Sequence, residues 1–349
     1  MKKRTIYIVI AFHILLLLSY MNYKKNELLI LDGFTQGTTY HIVYKQPYSL
    51  GFILNRNIHD YQEEIDSLLI EFDRTFSIYL PRSVISRINN NDKDVKVDSL
   101  FRKVFNKAKE VNELSDGAFD ITVGPIVNAW GFGPELRVKI DSALIDSLIQ
   151  FVGMDKVRIE KERVIKSDPG VKLDVNAIAQ GYSTDIVAGF LSNKGIKNYL
   201  VEIGGEISAA GTKKKGTPWK VGVDKPYDNN YIPGMDLQVI LAMKDNSMAT
   251  SGNYRKFFEE NGVKYSHSID PKTGYPVIHN LLSVTVTAQD CISADAFATA
   301  FMIMGLEKSI KLVRKLDGIE AYFIYSDDKG DFCTEITDGF REIIIEVQE

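Results

Sequence analysis

A short helical segment, residues 293–304, places the strongest constraint on how this chain can fold. It reads Ser-Ala-Asp-Ala-Phe-Ala-Thr-Ala-Phe-Met-Ile-Met and ends before Gly305. Apolar side chains, among them Phe297, Phe301 and Ile303, occupy most of its surface. A helix that is apolar on most faces lies in the interior of a protein. We therefore predict that this helix is mostly buried.

Two polar residues interrupt this apolar helix. Asp295 and Thr299 are four positions apart, so they lie on the same face. A carboxylate and a hydroxyl are hard oxygen ligands, which Mg²⁺ takes alongside water and phosphate oxygens. A buried carboxylate also needs a cation or hydrogen bonds to offset its desolvation. The same two residues also have an explanation without a metal. The positive end of the helix dipole would favour the carboxylate, and the threonine hydroxyl would bond to the helix backbone. Spacing alone leaves both interpretations open.

The rest of the chain mixes strand-like runs with amphipathic helices. Apolar residues at helical spacing predict helices at 58–75, 101–114, 141–151, 178–194, 293–304 and 306–316. Runs of strand-forming residues predict strands at 28–31, 38–44, 171–174, 199–203, 219–224, 237–244, 263–269, 281–288, 320–325 and 342–347. Because the two kinds of element do not alternate strictly, the pattern favours an α+β fold with a mainly antiparallel sheet packed with helices.

Composition and charge argue against several classes of protein. With 45% hydrophobic and 25% charged residues the chain is an ordinary globular protein. Its net charge of −4 argues against nonspecific nucleic-acid binding, which needs many cationic phosphate contacts. Two cysteines, Cys291 and Cys333, are too few for a disulfide scaffold or a thiolate zinc site. We interpret both as small buried side chains.

The first 25 residues differ from the rest of the chain. Lys2, Lys3 and Arg4 precede an apolar run from Ile6 to Tyr20. A basic start followed by such a run is typical of a signal peptide, and its length also suits a short membrane anchor. We therefore expect residues 1–25 to be a signal peptide or membrane anchor and residues 26–349 to form one domain.

Further polar and glycine-containing segments could bind a ligand. The Asp174–Tyr182 segment lies between a strand and a helix, where free backbone amides can bind an anion or simply form a turn. It has neither a P-loop nor a GxGxxG pattern, which argues against a Rossmann or kinase site. The Gly204–Glu206 and Thr250–Gly252 segments suggest glycine turns that a ligand could approach closely. His267 could act as a general base or be a structural histidine.

These motifs, in their order along the chain, resemble the ApbE-type flavin transferases, the FAD:protein FMN transferases. The resemblance runs from about Gly37 to Gly305. It rests on Phe76-Ser77-Ile78-Tyr79, Ser86-Arg87-Ile88-Asn89, Gly117-Ala118-Phe119-Asp120-Ile121-Thr122-Val123-Gly124-Pro125, Trp130-Gly131-Phe132-Gly133, Leu173 to Tyr182, Gly204-Gly205-Glu206-Ile207, Thr250 to Arg255, His267 to Gly274 and Ala294-Asp295-Ala296-Phe297-Ala298-Thr299. One of these motifs alone would be a weak indication, whereas the ordered set is specific.

The resemblance implies a fold, a reaction and a set of site residues. The fold would be the T-fold-like ApbE architecture. The reaction moves the FMN half of FAD onto a threonine or serine of a partner flavoprotein, with a divalent cation. The cation would be held by Asp295, Thr299 and the backbone carbonyl of Ala177, and His267 would be the base, with Asp295 as the second catalytic residue. The positions matching FAD contacts are Tyr79, Ala118, Phe119, Asp120, Asp174, Gln180 and Ile269.

The chain departs from the family pattern at several positions. Position 180 is glutamine where lysine or glutamate is frequent, so a charged contact is lost. Position 36 is glutamine where methionine is frequent, and position 298 is alanine where some members have a further acidic ligand. With no acidic side chain at position 298, the cation would hold an additional water.

The resemblance also implies partners and a location. Mg²⁺ is the expected metal, with Mn²⁺ or Ca²⁺ as substitutes because all predicted ligands are oxygens. The acceptor would be a membrane-bound or exported redox flavoprotein, and no nucleic acid is expected. The protein would be exported, either periplasmic or anchored to the inner membrane facing the periplasm. Two alternatives remain: a pyrophosphatase that hydrolyses FAD to FMN and AMP, and a noncatalytic FAD carrier.

Overall fold

The computed structural model describes residues 2–24, 28–45, 60–135, 137–227, 230, 234–253, 257–260 and 263–347. The helices are α1 Lys2–Lys24, α2 Gln62–Phe76, α3 Val84–Asn89, α4 Ser99–Leu114, α5 Gly124–Trp130, α6 Ser142–Ile149, α7 Asn176–Asn193, α8 Cys291–Met304, α9 Leu306–Val313 and α10 Asp338–Ile343. The strands are β1 Leu28–Thr35, β2 Thr38–Lys45, β3 Val157–Glu160, β4 Arg163–Lys166, β5 Tyr199–Ile203, β6 Glu206–Ala210, β7 Trp219–Asp224, β8 Leu237–Met243, β9 Asn246–Gly252, β10 Phe257–Glu260, β11 Val263–Ser266, β12 Leu281–Ala288, β13 Glu320–Ser326, β14 Phe332–Ile336 and β15 Ile344–Val347.

One large antiparallel sheet organises the chain. Its eight strands follow the order β1-β2-β5-β6-β9-β12-β13-β14, and every neighbouring pair is antiparallel. A smaller antiparallel sheet has the order β15-β8-β7, and two hairpins pair β3 with β4 and β10 with β11. The predicted α+β fold with a mainly antiparallel sheet is therefore confirmed.

The large sheet separates two hydrophobic layers. Along β13, Ala321 and Phe323 pack in the core formed with α4, α7 and α8, whereas Tyr322 and Ile324 pack on the opposite side with β7, β8 and α10. This alternation follows from the two-residue period of a strand. A third cluster packs β1, β2 and β5 against α2 and the C-terminal half of α7. Both faces of the sheet are thus covered, and the helical face carries the candidate site residues of α7 and α8.

Helix α8 lies at the centre of the helical layer. All residues from Cys291 to Ala298 are buried, as are Ala300, Phe301 and Met302. The helix begins after Asp290, whose carboxylate accepts a hydrogen bond from the Ser293 amide at 3.2 Å. The side-chain oxygen thereby satisfies one of the amides that lack a partner within the helix. The prediction of a mostly buried helix is confirmed, although the helix begins two residues earlier than predicted.

Three local predictions are wrong. Cys291 is buried as predicted, but Cys333 is only partly buried. The Thr250–Gly252 segment is not a turn but the end of strand β9, where its small residues pair with β12. The segment 171–174 is not a strand, since only Lys172 forms an isolated bridge to Val123. Instead, the side-chain amide of Asn89 bonds to the backbone nitrogen and oxygen of Leu173 at 2.7 and 2.8 Å, which replaces a neighbouring strand. Positions 58 and 59 of the first predicted helix lie outside the described residues.

The N-terminal segment forms helix α1. The side chains from Thr5 to Leu16 are exposed. Within the part of the chain that the structure describes, no helix is both long enough and apolar enough to cross a membrane. The division into residues 1–25 and 26–349 stays a prediction.

Candidate active site

The contact between α7 and α8 holds the Asp295 carboxylate in place. The backbone amide of Gly181 donates a hydrogen bond to Asp295 Oδ2 at 2.9 Å. The two helices approach each other so closely that a Cβ at position 181 would lie 2.4 Å from the Cys291 carbonyl oxygen and 2.7 Å from the Asp295 Cβ. Only glycine fits between the helices at this point, and the close approach puts a main-chain donor against the carboxylate.

The environment of Asp295 is suited to a carboxylate that binds a cation. Its side chain is 6% exposed. Burial raises the pKa of Asp295 well above its ordinary value, the Gly181 hydrogen bond opposes this effect, and the nearby Asp185 carboxylate adds to it. Among the described residues, none donates a hydrogen bond to the second oxygen, Oδ1. A divalent cation at that oxygen would favour the ionised form and offset the desolvation.

The other predicted metal ligands lie on the same two helices. Thr299 is one turn after Asp295, and its hydroxyl is 3.2 Å from the hydroxyl of Ser251 on β9. Ala177 is in the first turn of α7. Within the described ranges, no group of three or more His, Cys, Asp or Glu side chains could hold a metal ion. One carboxylate, a hydroxyl and a carbonyl nevertheless fit Mg²⁺, which in proteins uses few carboxylates together with water and substrate phosphates.

A tight turn before α7 carries Asp174. This carboxylate is buried, and its Oδ1 accepts a hydrogen bond from the Asn176 amide at 2.9 Å. Burial raises its pKa, while the Asn176 hydrogen bond lowers it. The Tyr79 ring is largely exposed. Partial burial raises the pKa of the Tyr79 hydroxyl, and the charge of the nearby Asp174 carboxylate raises it further. An exposed aromatic ring beside a buried carboxylate is suitable for stacking on and orienting a heterocycle.

Gln180 lies between α7 and the turn that joins β5 to β6. Its side-chain amide donates a hydrogen bond to the Ile203 carbonyl at 3.1 Å. The next residue, Gly204, has a φ of 61°, and a Cβ there would lie 1.7 Å from Gln180 Nε2. The turn therefore needs glycine for both its backbone angle and its close approach to Gln180. The predicted glycine turn at Gly204–Glu206 is present between these strands.

The Asp120 carboxylate is engaged inside the fold. Its oxygens accept hydrogen bonds from the Thr122 amide and hydroxyl, the Met154 amide and the Asn112 side chain, at 2.5 to 3.3 Å. Burial raises its pKa, and the hydrogen bonds from Thr122 and Met154 oppose that shift. The neighbouring Phe119 ring is 2% exposed and Ala118 is 8% exposed. Any contact of this segment with a ligand would therefore use the backbone rather than these side chains.

The loop that carries His267 and Ile269 is tied to the segment around α5. Trp130 Nε1 donates a hydrogen bond to the Gly274 carbonyl at 2.9 Å, and Lys272 Nζ lies 2.6 Å from Asp116 Oδ2. Ile269 is 3% exposed and packs in a small cluster with Trp130. The His267 ring centroid is 6.3 Å from that of Phe132, in an edge-on arrangement.

The predicted site residues therefore fall into two connected groups. The first group lies on the two packed helices, Asp295 and Thr299 on α8 and Ala177 and Gln180 on α7, with Ser251 of β9 bonded to Thr299. The second group is the Ala118–Asp120 segment with the His267 loop. The Asp174 amide, just before α7, donates a hydrogen bond to the Ile121 carbonyl at 2.7 Å, which connects the two groups. Asn89 and Gly181 form hydrogen bonds with residues far away in the sequence. Only the motifs in which Asn89 and Gly181 occur could have indicated that these two residues matter.

Comparison with known proteins identifies the family of this chain. The model of the ApbE family matches residues 36–323. The FAD:protein FMN transferase of Haemophilus influenzae is 35% identical over 330 residues, with 92% of each chain covered. That of Vibrio cholerae is 38% identical over 325 residues, with 91% of each covered.

Solved structures give the same result. The flavin transferase ApbE from Vibrio cholerae has a TM-score of 0.79 at 36% identity, covering 91% of this chain and 99% of that one. The ApbE protein from Thermotoga maritima has a TM-score of 0.77 at 30% identity, covering 92% of this chain and 100% of that one. The resemblance inferred from the motifs is confirmed: the chain belongs to the ApbE family.

Proposed function

We propose that this enzyme transfers the FMN moiety of FAD onto a threonine or serine hydroxyl of a partner flavoprotein and releases AMP. The relatives reported above are named as FAD:protein FMN transferases, which supports the class of reaction. The observation that carries the proposal is the buried Asp295 carboxylate, whose Oδ2 is bonded to the Gly181 amide. A carboxylate held in this way beside a threonine hydroxyl is suited to a metal ion on a pyrophosphate.

The metal would be held by Asp295, Thr299 and the Ala177 carbonyl, with Mn²⁺ or Ca²⁺ able to replace Mg²⁺. When bound, it would neutralise the charge that develops on phosphate oxygens as the pyrophosphate breaks. The protein's own part is to fix these oxygen ligands on two packed helices, because preorganised groups need little rearrangement during the reaction.

The remaining residues would bind FAD and handle the proton. Tyr79, Asp174 and Gln180 surround the start of α7, where they would orient the dinucleotide. The Ala118–Asp120 segment and Ile269 would contribute mainly through their backbone and packing. His267 would accept the proton of the incoming hydroxyl, which makes the oxygen a better nucleophile.

The acceptor is proposed to be an exported or membrane-bound redox flavoprotein. The enzyme itself is proposed to be exported, with residues 1–25 as signal peptide or anchor.

The direct test is a transfer assay followed by mass spectrometry. The protein is incubated with FAD, Mg²⁺ and a candidate acceptor flavoprotein, and the same mixture is prepared with the metal chelated. We expect the acceptor to gain the mass of one FMN moiety with Mg²⁺ and to gain none after chelation. Accumulation of FMN and AMP without labelled acceptor would instead establish a pyrophosphatase, and intact FAD after prolonged incubation would establish a carrier.

Replacing His267 tests the proposed base. His267→Gln keeps a polar side chain of similar size but removes the group that takes up a proton near neutral pH. We expect the rate of transfer to fall about 10²-fold, while binding of FAD changes little. FAD binding is measured by fluorescence and transfer by mass spectrometry. An unchanged rate at pH 7 would mean that another group accepts the proton.

A further inference from the structure

Asp185 is a buried carboxylate that neither the motifs nor the proposed mechanism uses. It lies on α7, one turn beyond Gly181 on the same face. Its Oδ1 accepts a hydrogen bond from the Cys291 amide at 2.8 Å, and its Oδ2 accepts one from the Ile292 amide at 2.9 Å. These two amides are the first of α8, so a side chain of one helix is bonded to the end of the other.

This arrangement differs from an ordinary helix cap. The first amides of a helix lack partners within it and are commonly satisfied by the residue just before the helix. Asp290 already plays that part for α8 by accepting from the Ser293 amide. Asp185 instead comes from another helix. It therefore joins two elements rather than only ending one.

Two connections between α7 and α8 lie one helical turn apart. The lower one is the Gly181 amide bonded to Asp295, and the upper one is Asp185 bonded to the start of α8. In addition to side-chain packing, a single connection restrains the rotation and sliding of the helices less than two do. Two connections separated along the axis fix both the rotation and the register of α8 relative to α7.

We propose that Asp185 is a positioning residue for the metal site: it fixes the register of α8 so that Asp295 and Thr299 face the Ala177 carbonyl of α7. This inference rests on the proposed function, because it assumes that these oxygens share one metal ion. Ligands from two helices converge on a metal only when the helices have a defined register, and a misplacement of about 1 Å weakens such a site.

The residue pair Asp185 and Asp290 offers a matched comparison. Asp185→Asn has an oxygen that can accept one α8 amide, but its NH₂ group cannot accept the other. Asp290→Asn likewise removes a carboxylate from the start of α8 while leaving the connection to α7 intact. A third variant, Asp185→Glu, keeps the charge and both acceptor oxygens but moves them by one methylene. Its effect therefore reports position rather than charge.

The experiment measures metal affinity directly. Mn²⁺ is titrated into the full chain in the presence of FAD and followed by electron paramagnetic resonance, well below the unfolding temperature of each variant. Asp185→Asn and Asp185→Glu should weaken Mn²⁺ binding roughly tenfold, as loss of a supporting contact does at other metal sites, and Asp290→Asn by less than about twofold. In the transfer assay, the Mg²⁺ concentration for half activation should rise for the Asp185 variants, with kcat at saturating Mg²⁺ largely kept.

The outcomes separate this inference from the proposed function. If the unsubstituted protein binds Mn²⁺ and both Asp185 variants bind it equally well, the positioning role is refuted and the metal site stands. Equal weakening by Asp290→Asn would also refute it, because loss of a negative charge at the start of α8, wherever it comes from, would then explain the result. If the unsubstituted protein binds no Mn²⁺, the proposed metal site fails and this inference fails with it.

Discussion

Replacement of Asp295 by alanine is expected to abolish transfer of FMN to the acceptor, with a loss of at least about 10³-fold. Asp295 is the only carboxylate among the proposed metal ligands. Metal stabilisation of developing phosphate charge is worth several kcal/mol, and each ~1.4 kcal/mol corresponds to a tenfold change in rate. The measurement is the rate at which the acceptor gains the mass of one FMN moiety, at saturating FAD and Mg²⁺.

The control for this prediction is Asp295→Asn, which keeps the shape of the side chain and an oxygen that can accept the Gly181 hydrogen bond. It removes only the negative charge, so it should lose transfer nearly as completely as Asp295→Ala. Thr299→Val removes a neutral ligand and should cost less, on the order of tenfold, because a water can replace a hydroxyl at Mg²⁺. Near-normal transfer by Asp295→Asn would contradict a metal site at this position.

The same control variant has a second expected property. Burial raises the pKa of Asp295 to about 7, so between about pH 4 and pH 7 the carboxyl is protonated in the folded metal-free protein but ionised in the unfolded chain. The stability contributed by this group is therefore full below about pH 4 and is lost as the pH rises towards neutrality. Asp295→Asn lacks this loss. Without metal at neutral pH its free energy of unfolding should equal or exceed that of the unsubstituted protein, which would show that lost activity is not lost folding.

Much of the fold could be predicted from local patterns. Strands β7 and β12 have the predicted bounds, because Val221 and Val223 in β7 and Val284 and Val286 in β12 recur with the two-residue period of a strand. Helix α8 was predicted as buried from its apolar surface alone. The strands β3, β4, β6, β9, β10 and β14 were not predicted. Of these, β9 reads Asn-Ser-Met-Ala-Thr-Ser-Gly, and its small residues carry little strand preference. It is a strand because β6 and β12 pair with both of its edges.

The sequence predicted only those site residues that belong to its motifs. Asp295 and Thr299 share a helix, so their spacing indicated a common face. The partners of Asp120, by contrast, include Asn112 and Met154, and no local pattern indicates that these groups meet. The same applies to Leu173, which is held by the side chain of Asn89, 84 positions earlier in the chain. Hydrogen bonds between distant segments depend on the packed fold, which local periodicity does not specify.

Gly181→Ala should destabilise the protein by forcing apart the two helices that carry the proposed metal ligands. The new Cβ would lie 2.4 Å from the Cys291 carbonyl oxygen, which belongs to the backbone of α8. A backbone atom in a packed helix cannot turn aside as a flexible side chain can, so α7 and α8 must separate. Overpacking of this kind costs about 1–3 kcal/mol. Separation would also lengthen the Gly181–Asp295 hydrogen bond, so transfer should fall by at least about tenfold even where the protein remains folded.

Gly189→Ala provides the matched control, because it makes the same substitution in the same helix. Apart from its chain neighbours and the adjacent backbone of α7, no atom of the described residues lies within 4 Å of a Cβ at position 189. Alanine there should raise stability by up to about 1 kcal/mol, since glycine is the poorer helix former. Thermal unfolding and transfer are measured for both variants. If Gly181→Ala unfolds like Gly189→Ala and keeps full activity, the helices are less tightly joined than the structure shows. Loss of both properties at position 181 alone would establish that the α7–α8 contact sets the geometry of the metal-binding carboxylate.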